Sequence, residues 1–314
     1  MSFGENLKNE IFSKLPKDRH CKKAFLAGLV RGTGEIYDDE GELGFHFRLS
    51  TEERAMQASL LLKSLFNYEV REISVSEDRL NSKDKIIISV SGKRAIEILQ
   101  ELEIINPSSE GFDVNLKFYD GQFKNECCTR SFIKGLYASS GSCTVPSENS
   151  ESKTGYHLEI VFSHYTPALE TSEKLAEFNV ITKITRRKDN YIVYIKSAEE
   201  IKDFIAFLPA PISVLKLTDT IINREFSNTV NRQKNCDLGN VNRQVEACAK
   251  QVLAVEKIEN TIGLDSLTPD LMLTAIKRRE FQEDTLTELA ERLNVSKSCL
   301  NHRLRKIISI ANEL

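Results

Sequence analysis

From Arg292 to Lys306 the chain carries the cations Arg292, Lys297, Arg303, Arg305 and Lys306, and the next acidic residue after Glu291 is Glu313. The formal net charge of the whole chain is −3. A basic stretch on a mildly acidic protein reads as one confined contact for a polyanion, not as a generally basic surface. Leu300, Leu304, Ile307, Ile308 and Ala311 recur at helical spacing and mark the inward face. At about 100° per residue, the opposite face carries Ser298, His302, Arg305 and Lys306, with Lys297 and Asn301 at its border near the helix start. Asn can bond adenine in two places, and Arg or Lys can bond guanine. Arg303, Arg292 and the run Lys277, Arg278, Arg279 lie off that face and are expected to meet phosphates. The candidate DNA-binding set is therefore Lys297, Ser298, Asn301, His302, Arg303, Arg305 and Lys306. The competing reading is a solvated basic helix on a protein-interaction scaffold.

The neighbouring residues supply the elements that would hold this helix. Thr285 followed by Glu288 is a capping box, and Leu286, Leu289, Ala290 and Leu293 form the apolar face of a short helix. Asn294 suits a left-handed stop, and Ser296 caps the next helix. Helix, tight turn and helix, with the small Ala290 at the crossing, predict a helix-turn-helix. Upstream, Val241, Val245, Cys248, Val252, Val255, Ile258 and Ile262 predict a connecting amphipathic helix that ends near Gly263.

The other candidate chemistry is cysteine chemistry. The seven cysteines are Cys21, Cys127, Cys128, Cys143, Cys236, Cys248 and Cys299. They form no C-x-x-C pair, and no histidine cluster accompanies them. They are expected to be buried free thiols, with no metal and no cofactor.

A further pattern appears twice. FLAGLVRGTGE, from Phe25 to Glu35, returns as FIKGLYASSGS, from Phe132 to Ser142. Each copy is followed by an alternating strand, with Phe45, Phe47 and Leu49 in the first and Leu158, Ile160 and Phe162 in the second. A helix, a hairpin and a closing helix follow in both copies, so the chain contains a duplicated α+β domain. Gly28 with Gly32, and Gly135 with Ser139, place small residues one helical turn apart. Two such helices can pair more closely than the usual 8–10 Å or so. The strand faces turned away from the core mix His46 and Arg48 with Glu72 and Glu159, which is a poor phosphate surface. Arg186, Arg187 and Lys188 are either a DNA contact or an exposed turn. Gly32-x-Gly34 follows a helix and does not open one after a strand, so it is not a dinucleotide fingerprint.

The two glycine-bearing helices resemble the LAGLIDADG helices of homing endonucleases. That resemblance implies paired helices with a metal-binding acid at each C-terminal end. The aligned positions here are Thr33 and Ser140, and neutral hydroxyls do not supply the charge a hard divalent cation requires. Glu35 lies nearby, but its counterpart is Ser142. Over nearly the whole chain, the combination of FLAGLVRGTGE, FIKGLYASSGSC, NREFSNTVNRQKNC, IGLDSLTPDL and SKSCLNHRLRKI resembles the WhiA family of bacterial transcription regulators. The resemblance implies a catalytically dead LAGLIDADG-like scaffold plus a C-terminal helix-turn-helix. It also implies a double-stranded-DNA-binding regulator of cell division or, in spore formers, of sporulation. It leaves open whether the scaffold touches DNA or a protein partner. An active metal-dependent endonuclease is the enzymatic alternative.

The expected organisation is a duplicated scaffold over 1–220, with repeats at about 20–105 and 127–210. A helical linker over 221–262 and a helix-turn-helix domain over 263–314 complete it. No apolar run approaches the roughly 18 residues that would span a membrane, and the first residues lack a signal-peptide pattern. The expectation is a cytoplasmic, nucleoid-associated protein with no membrane contact.

Overall fold

The computed structural model describes residues 1–39, 42–70, 72–76, 85–109, 111–118, 123, 125–146 and 155–314. The side chain of Glu72 lies outside this set. The chain divides into two compact units, Met1–Arg224 and Glu225–Leu314.

The first unit contains the same succession twice. After α1 (Phe3–Ser13), the first copy runs α2 (Arg19–Thr33), β1 (Glu35–Asp39), β2 (Glu42–Leu49), α3 (Glu52–Phe66), β3 (Glu72–Ser76), β4 (Lys85–Ser91) and α4 (Lys93–Glu101). A short hairpin, β5 (Ile105–Ser108) and β6 (Gly111–Val114), connects the copies. The second copy runs α5 (Glu126–Ser140), β7 (Gly141–Thr144), β8 (His157–Phe162), α6 (Tyr165–Ala176), β9 (Lys183–Arg187), β10 (Asn190–Ile195) and α7 (Ala198–Phe207). The two antiparallel sheets have matching strand orders, β1-β2-β4-β3 and β7-β8-β10-β9.

The alternation in β2 and β8 explains which sheet face is covered. Phe45 and Phe47 are fully buried, and Leu49, Leu158, Ile160 and Phe162 nearly so. They pack on the paired helices α2 and α5, whose Phe25, Leu26, Leu29, Phe132, Ile133 and Leu136 belong to the same core. The glycines set how near these helices come. A Cβ on Gly28 would lie 2.1 Å from the Phe132 carbonyl oxygen, and one on Gly135 would lie 2.0 Å from that of Phe25. Backbone thus meets backbone, with no room for a side chain.

The helix α8 (Pro211–Thr261) starts well before the expected connector and is continuous through it. Its beginning belongs to the first unit, where Leu217 is fully buried. Its start is capped from α1. Glu10 accepts hydrogen bonds from the backbone N–H groups of Ile212 (3.0 Å) and Ser213 (2.8 Å), from the Ser213 hydroxyl (2.8 Å) and from Lys14 (3.1 Å). A carboxylate here satisfies free helical donors and opposes the positive end of the helix dipole. Burial alone would raise the Glu10 carboxyl, but the bonds from Ser213, Ile212 and Lys14 hold it below the ordinary carboxylate value. A depressed folded-state value contributes stability that is present above the unfolded value and is lost as pH falls through the folded one. Glu10→Gln should therefore cost roughly 2 kcal/mol at neutral pH. Its deficit against the parent should shrink below the ordinary carboxylate range, as read by urea unfolding over a pH series.

In the second unit, the end of α8 packs with α9 (Pro269–Glu280), α10 (Leu286–Arg292) and α11 (Lys297–Glu313). Val255 and Ile258 are buried in the same cluster as Leu289, Leu300, Leu304 and Ile307. Part of the stretch expected to be linker thus contributes to the helix-turn-helix core. Val241 and Val245, expected on an apolar stripe, are exposed.

Candidate nucleic-acid interface

The C-terminal ends of α2 and α5 are closed by their own polar groups. The Thr33 hydroxyl donates to the Arg48 carbonyl (3.0 Å) and accepts from the Arg48 N–H (3.1 Å), which ties the helix end to β2. Ser140 donates to the Leu136 carbonyl (3.1 Å), and Ser139 donates to the carbonyls of Gly135 and Leu136. A cavity of about 550 Å³ opens beside Gly32, Thr33 and Ser139. Its two carboxylates are already engaged. Glu35 pairs with Arg48 (2.7 Å) and His46 (3.2 Å), and Glu5 pairs with the buried Arg54 (2.8 Å). The bond from Arg48 is the main reason that the Glu35 carboxyl lies below its ordinary value. Lys8, Arg31, Arg48 and Lys85 also line the cavity. Burial, followed by the charge of Arg54, brings the Lys8 ammonium down to about 8. A divalent cation would meet cationic side chains, neutral hydroxyls and carboxylates already paired with arginine or histidine there, which is a poor hard-metal site.

The outer faces of the sheets are internally neutralised in a matching way. In the second copy Glu159 binds His157 (3.0 Å) and Arg187 (3.4 Å), much as Glu35 binds His46 and Arg48 in the first. Arg186 lies 5.8 Å from the centre of the Tyr191 ring. Lys188 adopts a positive φ of 55° in the turn between β9 and β10.

The second unit builds a helix-turn-helix from local rules. Thr285 and Glu288 form the reciprocal capping box of α10, with bonds of 3.3 and 2.7 Å. Asn294 takes the left-handed conformation, with φ 49°, and Val295 N–H bonds the Ala290 carbonyl at 3.0 Å. Ser296 caps α11 by accepting from Cys299 N–H at 3.1 Å. Leu300, Leu304, Ile307 and Ala311 are buried, which turns Lys297, Ser298, His302, Arg305 and Lys306 to solvent, with Asn301 half-buried at the edge. Lys297, Arg305 and Lys306 have no ion-pair partner among the described residues.

The cations expected to meet phosphate are placed differently. Arg303 pairs with Asp270 at 2.9 Å and is only 17% exposed along its side chain, so it faces α9 and leaves the basic face. Arg278 is buried and donates to the carbonyls of Asp284 (3.0 Å) and Gln282 (2.7 Å) and to Cys248 Sγ (2.9 Å). Arg279 pairs with Glu259, Lys277 with Glu280 and Arg292 with Asp284. Each has an acidic or carbonyl partner that comes from elsewhere in the fold or from the next helical turn. Sequence distance alone hides the first kind.

The expectation for the cysteines also requires correction. Only Cys21, Cys128 and Cys143 are buried, while Cys127, Cys236 and Cys299 are exposed. Moreover, His20, Cys21, Cys127 and Cys128 converge, with one donor atom from each lying within 4.8 Å of all the others. A search for local C-x-x-C spacing misses this group, because each repeat supplies half of it. The detectable signal was positional: Cys21 and Cys128 each stand four residues before the repeated Phe25 and Phe132.

Fold and site together define a class. It is a duplicated LAGLIDADG-like domain, with the Thr33 and Ser140 hydroxyls at the C-terminal ends of its paired helices, joined to a C-terminal helix-turn-helix. Residues 22–111 and 129–227 match the WhiA LAGLIDADG-like domain, and residues 230–311 match the WhiA C-terminal HTH domain. The chain belongs to the WhiA family. It is 32% identical over 319 residues to a probable cell division protein WhiA of Alkaliphilus oremlandii, covering 100% of this chain and 98% of that protein. It is 35% identical to the probable cell division protein WhiA of Staphylococcus haemolyticus, again over 100% of this chain and 98% of the relative. The crystal structure of full-length DUF199/WhiA from Thermotoga maritima superposes with a TM-score of 0.59 at 25% identity, covering 100% of this chain and 99% of that one.

Proposed function

We propose that this protein is a sequence-specific DNA-binding transcriptional regulator of cell-division or sporulation genes and has no catalytic activity of its own. The observation that carries the reading is the basic face of α11, Lys297, Arg305 and Lys306, without ion-pair partners among the described residues and held outward by a capped helix-turn-helix. Ser298, Asn301 and His302 share or border that face and would meet base edges, with the lysines and arginine meeting bases or phosphates. Arg303 acts in this reading by fixing α11 against α9, not by touching DNA. The relatives' description as cell division proteins supports the choice of target genes. A regulator of chromosomal genes would work at the nucleoid in the cytoplasm, and no helix among the described residues is long and apolar enough to cross a membrane. The engaged carboxylates beside Thr33 support a scaffold without nuclease chemistry.

Footprinting of the full-length protein on genomic DNA should give discrete protected sites. Supercoiled plasmid incubated with the protein and magnesium should remain uncut. Cleavage, or binding with no preferred sites, would reject the proposal.

A further inference from the structure

The N-terminal ends of α2 and α5 meet at the opposite end of the helix pair from Thr33 and Ser140. His20 and Cys21 are the second and third residues of α2, and Cys127 and Cys128 are the second and third residues of α5. The duplication therefore sets Cys21 against Cys128 and His20 against Cys127. His20 Nδ1 lies 3.2 Å from Cys128 Sγ and 3.3 Å from Cys21 Sγ. In a tetrahedral zinc site, with metal–sulfur bonds of about 2.3 Å and metal–nitrogen bonds of about 2.0–2.1 Å, neighbouring ligand atoms stand roughly 3.5–3.8 Å apart. The separations here, from 3.2 Å to at most 4.8 Å, bracket that edge length.

We propose that His20, Cys21, Cys127 and Cys128 form a Cys₃His site for a thiophilic divalent ion of the zinc class, which staples the two repeats together at the start of their paired helices. Three sulfurs and an imidazole suit zinc and exclude calcium and magnesium, which prefer oxygen. Two helix N-termini supply partial positive charge, which favours thiolates. His20 and Cys127 are exposed and give an entry path, while Cys21 and Cys128 are buried behind them.

Binding is a proton exchange without a redox change. Three thiols each release a proton to solvent as three sulfur–metal bonds form, and neutral His20 contributes its lone pair. Because protons compete with the ion for the sulfurs, affinity should fall as pH is lowered. The ion would bind the folded chain in preference to the unfolded one and so raise its melting temperature.

The test uses reduced, chelator-stripped full-length protein titrated with cobalt(II) as a spectroscopic stand-in, followed by zinc(II). The expected result is a set of tetrahedral ligand-field bands with thiolate-to-cobalt charge transfer, saturating at one ion per chain and bleached by zinc. Cys127→Ser and His20→Ala alter exposed residues and should leave the circular dichroism unchanged. Each should weaken binding by at least roughly tenfold and abolish the metal-dependent rise in melting temperature. The control Cys236→Ser/Cys299→Ser should bind like the parent. Three results would overturn the proposal: absence of the thiolate bands, undiminished binding in both ligand variants, or a reduced chain that binds no ion while the oxidised chain lacks two free thiols, which would make the cluster a disulfide. The readout is independent of DNA binding.

Discussion

Arg305→Ala should cost roughly 1–3 kcal/mol of affinity at a cognate site. The triple variant Lys297→Ala, Arg305→Ala, Lys306→Ala should lose most specific binding by the full-length chain. These residues are exposed and have no competing ion pair among the described residues, so their whole electrostatic capacity is free for DNA. Each lost phosphate contact should also reduce the slope of log affinity against log salt by about 0.9. A residue reading a base would instead relax preference at one position of the site. Fluorescence anisotropy at several salt concentrations, with matched and mismatched duplexes, separates the two roles. Arg303→Ala is the informative contrast. Its pair with Asp270 predicts a small change in the salt slope and a loss of stability in the second unit. Retention of near-parental affinity by the triple variant at moderate salt would remove α11 from the interface.

The second large effect concerns the helix pair. Gly28→Ala and Gly135→Ala should each destabilise the first unit by about 3 kcal/mol or more. The added carbon would meet a backbone carbonyl at 2.1 or 2.0 Å, and no side-chain rotation can relieve that clash. The helices must separate, and the core of Phe25, Leu29, Phe132 and Leu136 must loosen with them. Gly32→Ala should cost less, because its nearest neighbour is the Ser139 hydroxyl, which can rotate away. Gly239→Ala should have the opposite sign. That glycine sits inside α8, with only the tip of Arg243 within 4 Å, so an added methyl should stabilise by roughly 0.5–1 kcal/mol. Thermal and urea unfolding of the full-length variants gives the ranking. Equal, small effects at all four positions would show that the close approach of α2 and α5 does not govern stability. The costs at Gly28 and Gly135 should not add, because both act on one interface.

What was legible in the residues was local or repeated. The capping box at Thr285, the left-handed Asn294 and the apolar spacing of α11 depend on neighbours a turn away, so the helix-turn-helix could be read directly. The duplication was legible because the same pattern of strands and helices recurs, with Gly28 and Gly32 on one face of the first helix and Gly135 and Ser139 on the same face of the second. The start of α8 was missed, since its cap is Glu10, far earlier in the chain. The fate of the off-face cations was missed as well. Asp270 draws Arg303 inward, and the carbonyls of Gln282 and Asp284 take Arg278.

Residue type and spacing by themselves determined the main helices and strands of the two repeats and of the helix-turn-helix, that one domain is present twice, and which face of α11 is polar. Those properties follow from backbone periodicity and short-range hydrogen bonding. Only the tertiary structure decided which charges remain free, what fills the ends of α2 and α5, and that His20 and Cys21 meet Cys127 and Cys128. Pairing energies and metal geometry depend on distances of a few ångströms. Those distances are set when two glycine-bearing helices, more than a hundred residues apart in sequence, are packed backbone to backbone.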